Sequence, residues 1–123
     1  MEFNRLDILK IFKTAFSDIV PKVYYTDRPS STNTQYSTFI VVKSGDMEDN
    51  GAWQDSYINL LIFAKDTDGL ESTSVLDGLQ KEIFNKLPIT NDILFTQKPM
   101  MLESKSDGSG FHYLTIYFGI IIK

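Results

Sequence analysis

The chain is 123 residues long, with 42% apolar residues, nine Phe, six Tyr and one Trp, and a formal charge of −4 from 12 basic and 16 acidic side chains. That length suits one domain spanning 1–123 with an ordinary hydrophobic core, and the aromatic content is too high for a disordered chain. The acidic balance and the lack of a Lys/Arg stripe argue against nucleic-acid binding, and with no cysteine there is no disulfide, zinc thiolate site, iron–sulfur cluster or thiol nucleophile.

Along the chain, Phe3, Leu6, Leu9, Phe12, Phe16 and Ile19 recur at spacings of three and four, which predicts an amphipathic helix over 2–19, closed by Pro21. Residues 23–26 predict a short strand, and 27–37 (DRPSSTNTQYS) a polar, mobile loop. A β-branched run predicts a strand over 39–43; after the turn at 44–51, residues 54–65 form its antiparallel hairpin partner. Residues 66–69 break the pattern. A second helix follows over 70–87, from Val75, Leu76, Leu79, Ile83 and Leu87, with Asp68 or Ser72 as its cap and Pro88 as its stop. The segments 93–97 and 100–104 read as strand, interrupted by Pro99; SDGSG at 106–110 is a turn; 111–122 is the longest strand.

The expected order is α-β-β-β-α-β-β: an α+β fold with a largely antiparallel sheet and two helices packed on one face. No apolar stretch approaches the ~20 residues of a membrane-spanning helix. The first ten residues lack the basic-then-apolar pattern of a signal peptide, so no membrane segment is expected. The missing disulfides favour an intracellular setting.

The two long strands are apolar in both directions. The last one points Leu114, Ile116, Phe118, Ile120 and Ile122 one way, and Phe111, Tyr113, Thr115, Tyr117 and Ile121 the other. The strand at 54–65 sets Ile58, Leu60, Ile62 and Ala64 against Tyr57, Asn59, Leu61 and Phe63. A sheet with one wet face should alternate apolar with polar. Two helices roof one face, and a second face this rich in Tyr and Phe has the composition of a protein interface. Tyr57, Leu61, Phe63, Phe111, Tyr113 and Tyr117 are therefore the candidate interface residues. Trp53 joins them, either as an interface anchor or as a lid on the core. The competing explanation is that the sheet curls, or that the 27–37 loop and Trp53 fold over this face.

Chemistry-bearing patterns are sparse. His112 is the single histidine, and nothing near it in sequence suggests a nucleophile or an orienting acid. Neither G-x-S-x-G nor S-x-x-K occurs, and the glycines of 106–110 open a strand where a phosphate loop opens a helix. Asp46, Glu48, Asn50 and Gly51 fall at calcium-loop offsets, but Tyr57 stands where the bidentate Glu belongs and strands flank the segment, so it reads as a hairpin tip. Asp66 and Asp68 read as helix-capping carboxylates. No catalytic residue, cofactor or metal ligand is expected, and the chain reads as a non-enzyme.

The succession of a helix ending before Pro21, a short strand, a polar loop, a hairpin with second strand SYINLLIFAKD (56–66), a helix with VLDGLQKEI (75–83) and LP (87–88), and a closing hairpin resembles bacteriophage tail-terminator and tail-completion (minor tail) proteins. The likeness lies in element order and length, over nearly the whole chain. It implies a homo-oligomeric ring, usually hexameric, that caps the tail tube, stops its growth and presents a surface to the head connector. It also implies assembly in the bacterial host cytoplasm and a place in the virion tail, with no catalytic residues and no cofactor. The alternative reading is a small-ligand or peptide-binding module, its pocket lined by Phe63, Tyr113 and Tyr117.

Overall fold

The computed structural model describes residues 5–30, 34–45, 48–49, 54–90 and 94–122, and of residues 5, 48, 49, 54 and 55 the backbone alone. Trp53 and most of the acidic hairpin tip lie outside the described residues.

Helix α1 (Arg5–Phe16) buries Leu9, Phe12 and Phe16 of the predicted stripe, each at most 3% exposed, but the stripe is corrected at two positions: Leu6 is 46% exposed, and Ile8, which the spacing left off it, is fully buried. It ends three residues earlier than the periodicity suggests. The Ser17 hydroxyl donates to the Thr14 carbonyl, and a tight turn bonds the Ile19 N–H to the Phe16 carbonyl. Such local bonds compete with helix continuation, and Pro21 follows. Helix α2 (Thr73–Lys86) buries Leu76 and Ile83 and stops before Leu87, whose backbone is already extended.

The expected cap of α2 is corrected. Ser72 holds the capping position but makes no side-chain cap bond; its hydroxyl donates to the Lys65 carbonyl and pairs with Thr67. Asp68 sits with Gly69 in a left-handed turn closed by mutual Thr67–Leu70 backbone bonds.

Among the described residues, seven strands make one sheet: β1 (Val23–Tyr25), β2 (Thr38–Ser44), β3 (Glu48–Asp49), β4 (Gln54–Lys65), β5 (Leu94–Thr96), β6 (Met100–Ser106) and β7 (Phe111–Ile122). The spatial order is β1-β2-β4-β7-β5, with β3 on β4 and β6 on β7. Only β1–β2 is parallel. The fold is α+β with a mostly antiparallel sheet. Relative to the expected order it adds β3, a two-residue extension at the hairpin tip, and separates β5 from β6.

β5 and β6 run end to end along one edge of β7. Thr96 lies opposite Ile120 and the Gln97 N–H bonds the Gly119 carbonyl, yet Met100 lies opposite Tyr117. One extra residue is therefore accommodated around Pro99, which has no N–H to give to a ladder. A second one-residue slip falls between Leu102 and Lys105. Each slip is a bulge that bends the edge.

The helices cover one face. Their apolar stripes meet Ile40 and Val42 of β2, Ile58, Leu60 and Ile62 of β4, and the even-numbered residues 114–122 of β7 in one buried cluster. Phe12 packs against Phe16 and Phe118, with ring centroids 6.3 and 5.5 Å away. Each such side chain contributes roughly 1.5–3 kcal/mol by leaving water.

Candidate functional site

The strand registers place six of the seven interface candidates on the face opposite the helices. Phe63 lies across from Tyr113, Asn59 from Tyr117, Leu61 from Thr115, Lys65 from Phe111 and Tyr57 from Gly119. Directly opposed residues share a face. β2 adds Phe39, Val41 and Lys43, β1 adds Tyr24, and β6 adds Met100 and Leu102. Trp53, the seventh, lies outside the described residues.

This face divides into two halves. At one end the chain covers itself. Phe39, Val41, Phe63 and Phe111 are 0, 1, 3 and 7% exposed, with Tyr24, Leu61 and Tyr113 packed half-buried around them. The rings of Phe39 and Phe63 stack at 4.7 Å, Phe63 stacks on Tyr113 at 5.1 Å, and Tyr24 meets Phe39 edge-on. Burial holds the Tyr24 phenol above its usual range.

The cover is Arg28. Its guanidinium sits 5.1–5.5 Å from the ring centroids of Phe39, Phe63 and Phe111, the geometry of a cation–π contact. It also forms an ion pair with Asp107 and donates to Ser109 and Thr34, while its Nε donates to the Pro29 carbonyl. The local chain is shaped for this. Thr26 takes a left-handed φ of 70°, and the Asp27 N–H bonds the Tyr25 carbonyl, so the backbone turns sharply out of β1. Burial by itself would raise the Asp107 carboxyl; hydrogen bonds from Ser109 and Phe111 and the Arg28 charge outweigh it and hold it below its usual range. At Arg28 the polar loop thus lies over one end of this face, as the competing explanation has it, and is tied to the β6–β7 turn.

The other half is open. Tyr57 is 66% exposed, Met100 54% and Leu102 47%, around half-buried Leu61, Thr115 and Tyr117. Tyr117 is flanked by Asn59 and Met100, and Thr115 by Leu61 and Leu102, so the open residues form one continuous patch. The interface candidates consequently differ in fate. Phe63 and Phe111 are sealed within the chain; Tyr57 stands out in solvent, and Leu61, Tyr113 and Tyr117 lie at the border.

Two open clefts border the Arg28 cover. One of about 380 Å³ is lined by residues 34–37, Lys65, Ser109 and Phe111, and one of about 320 Å³ by Arg28, Pro29, Ser30, Asp107 and Ser109. The first is walled mainly by polar surface, whereas the second presents somewhat more apolar than polar surface.

The reading of His112 is also corrected. Its Nδ1 lies 2.6 Å from Asp66 Oδ1, so the carboxylate expected to cap a helix instead orients the imidazole. Glu71 stands nearby, accepting from the Ser104 and Thr73 hydroxyls, which hold its carboxyl below the usual range. The nearby Ser72 hydroxyl donates to the Lys65 carbonyl and pairs with the Thr67 hydroxyl. Among the described residues no group of three His, Asp or Glu is placed to hold a metal ion, and no helix is long and apolar enough to cross a membrane.

Sequence reasoning missed Arg28, Asp107, Met100 and Leu102. The signal for Arg28 was faint: one of two arginines in the chain, in a loop otherwise made of small polar residues. Met100–Met101–Leu102 was a sharper signal, an apolar triplet bounded by Pro99 and Glu103.

No protein-family model matches the chain, and no curated protein matches it.

Proposed function

We propose that the chain is a non-enzymatic assembly protein that buries the open half of its aromatic sheet face against a neighbouring copy of itself. In the form that the element order suggests, it caps a phage tail tube as a ring, touching tube and head-connector proteins. It would assemble in the host cytoplasm and remain in the virion tail. The observation that carries the reading is the continuous patch of Tyr57, Leu61, Tyr117, Met100 and Leu102, more apolar than a solvated sheet face needs to be. Self-coverage of the other half supports the same reading in another way: among the described residues, the arginine that seals the aromatic face lies at one end of it.

Light scattering on the purified protein tests this. The expected result is a mass several times that of the 14.1 kDa chain, with more than ~1,000 Å² buried per contact. Tyr57→Lys, in an already exposed position, should lower that mass while leaving the fold and melting temperature intact. A strict monomer at high concentration overturns the reading.

The cleft beside Phe111 favours a second reading, a small-ligand or peptide module, since its volume of about 380 Å³ lies within the range of ligand sites, but its lining is not the expected Phe63, Tyr113 and Tyr117: Phe63 is buried and stacked on Tyr113. Titration with a fragment library followed by NMR separates the two. Shifts confined to 34–37, Lys65 and Phe111 would favour the ligand module, and concentration-dependent broadening at Tyr57 and Tyr117 the assembly.

A further inference from the structure

We infer that residues 98–103, Lys-Pro-Met-Met-Leu-Glu, form a self-complementary strip through which two copies of this chain pair edge to edge, antiparallel, about a two-fold axis at Met101. The inference rests on the assembly reading and names the strand that starts it.

Three observations converge on this strip. First, β6 exposes apolar side chains on both sides. Met100 and Leu102 are 54% and 47% exposed on the aromatic face, and Met101 is 49% exposed on the helix side. Among the described residues its one strand neighbour is β7. An exposed apolar edge strand is a template for another strand.

Second, the two bulges bracket this triplet. Slips around Pro99 and between Leu102 and Lys105 bend the edge on either side, and Pro99 cannot donate to a ladder. A long peptide cannot lie along such an edge; a strand equally short and equally bent can. The chain's own triplet meets that description. Around Met101, each Met100 faces the partner subunit's Leu102, and the two Met101 side chains face each other.

Third, the charges at the two ends are opposite. Lys98 precedes the triplet and Glu103 follows it, both exposed. An antiparallel copy brings each Lys98 end to the partner's Glu103 end, twice per pair. A parallel copy would set like against like. Pairing in this way also continues the sheet, so that the open aromatic patches of the two copies, which begin at Met100 and Leu102, join into one surface.

The test is a charge swap read by sedimentation equilibrium at low and high salt. Wild type should assemble in even numbers of copies. Lys98→Glu sets Glu against Glu103 twice and should weaken association about tenfold or more at low salt. The double variant Lys98→Glu, Glu103→Lys restores the complementarity and should restore the affinity. A second measurement uses the absence of cysteine. Cα atoms paired across antiparallel strands lie ~4.5–5.5 Å apart, within disulfide reach, so Met101→Cys should oxidise quickly to a dimer while Lys10→Cys, exposed on α1, which packs on β1 and β2 at the opposite edge of the sheet, should not. An assembly that ignores Lys98→Glu and leaves Met101→Cys reduced overturns the strip but leaves the assembly reading standing, and points to another occupant of the edge. A wild-type monomer in every condition overturns both.

Discussion

At the scale of single residues, Arg28 does work that several apolar side chains would ordinarily share. It closes an aromatic cluster with a planar cation and ties that cluster to Asp107, 79 positions away. Lysine has neither the fork nor the flat face for this. Arg28→Ala should destabilise the protein by about 2–4 kcal/mol in urea denaturation, because it strands a poorly exposed carboxylate as well as opening the rings. Arg28→Lys should recover only part of the loss. The same contact sets an acid limit. Asp107 has a lower pKa folded than its unfolded value near ~3.9. Its contribution is therefore present above that value and lost as pH falls through the folded one. Thermal melts of wild type should weaken toward acid more steeply than melts of Asp107→Asn, which has no such carboxylate to protonate.

At the scale of elements, the helices and the edge strand behave differently under substitution. α1 packs on the sheet through Phe12, which touches Phe16 and Phe118 and is fully buried. Phe12→Ala should cost about 3–5 kcal/mol, measured as a lower urea midpoint with little change in slope. The β5–β6 edge is more forgiving. A Cβ at Gly119 would run into the side-chain amide of Gln97, but Gln97 is exposed and its end can swing aside. Gly119→Ala should therefore shift stability by less than about 1 kcal/mol, in a position where tight packing would have made it costly.

At the scale of the whole molecule, one sheet carries two unlike faces. The helix side is a single continuous core; the other is an aromatic cluster closed by an arginine at one end and open at the other. Much of this was legible in the residues. Period-two alternation put Phe63 and Tyr113 on one side and Ile62 and Leu114 on the other, as the register confirms. Proline and turn residues marked the breaks near 21, 66–69, 88 and 106–110. The early end of α1, the failed cap at Ser72 and the Asp66–His112 bond were not legible, because each depends on a hydrogen bond that a periodicity count cannot weigh; the last joins residues 46 apart.

The sequence by itself determined which segments form the helices and the long strands and which side chains of those strands share a face, since both follow from spacings of two and of three to four within a few residues. Only the tertiary structure decided how far the aromatic face is covered. That depends on Arg28 reaching Asp107 across the sheet, and on an edge strand bent twice so that Met100, Met101 and Leu102 stay in solvent. Contacts between segments so far apart in the chain leave no local pattern, and the same alternation is compatible with a face wholly sealed or wholly bare.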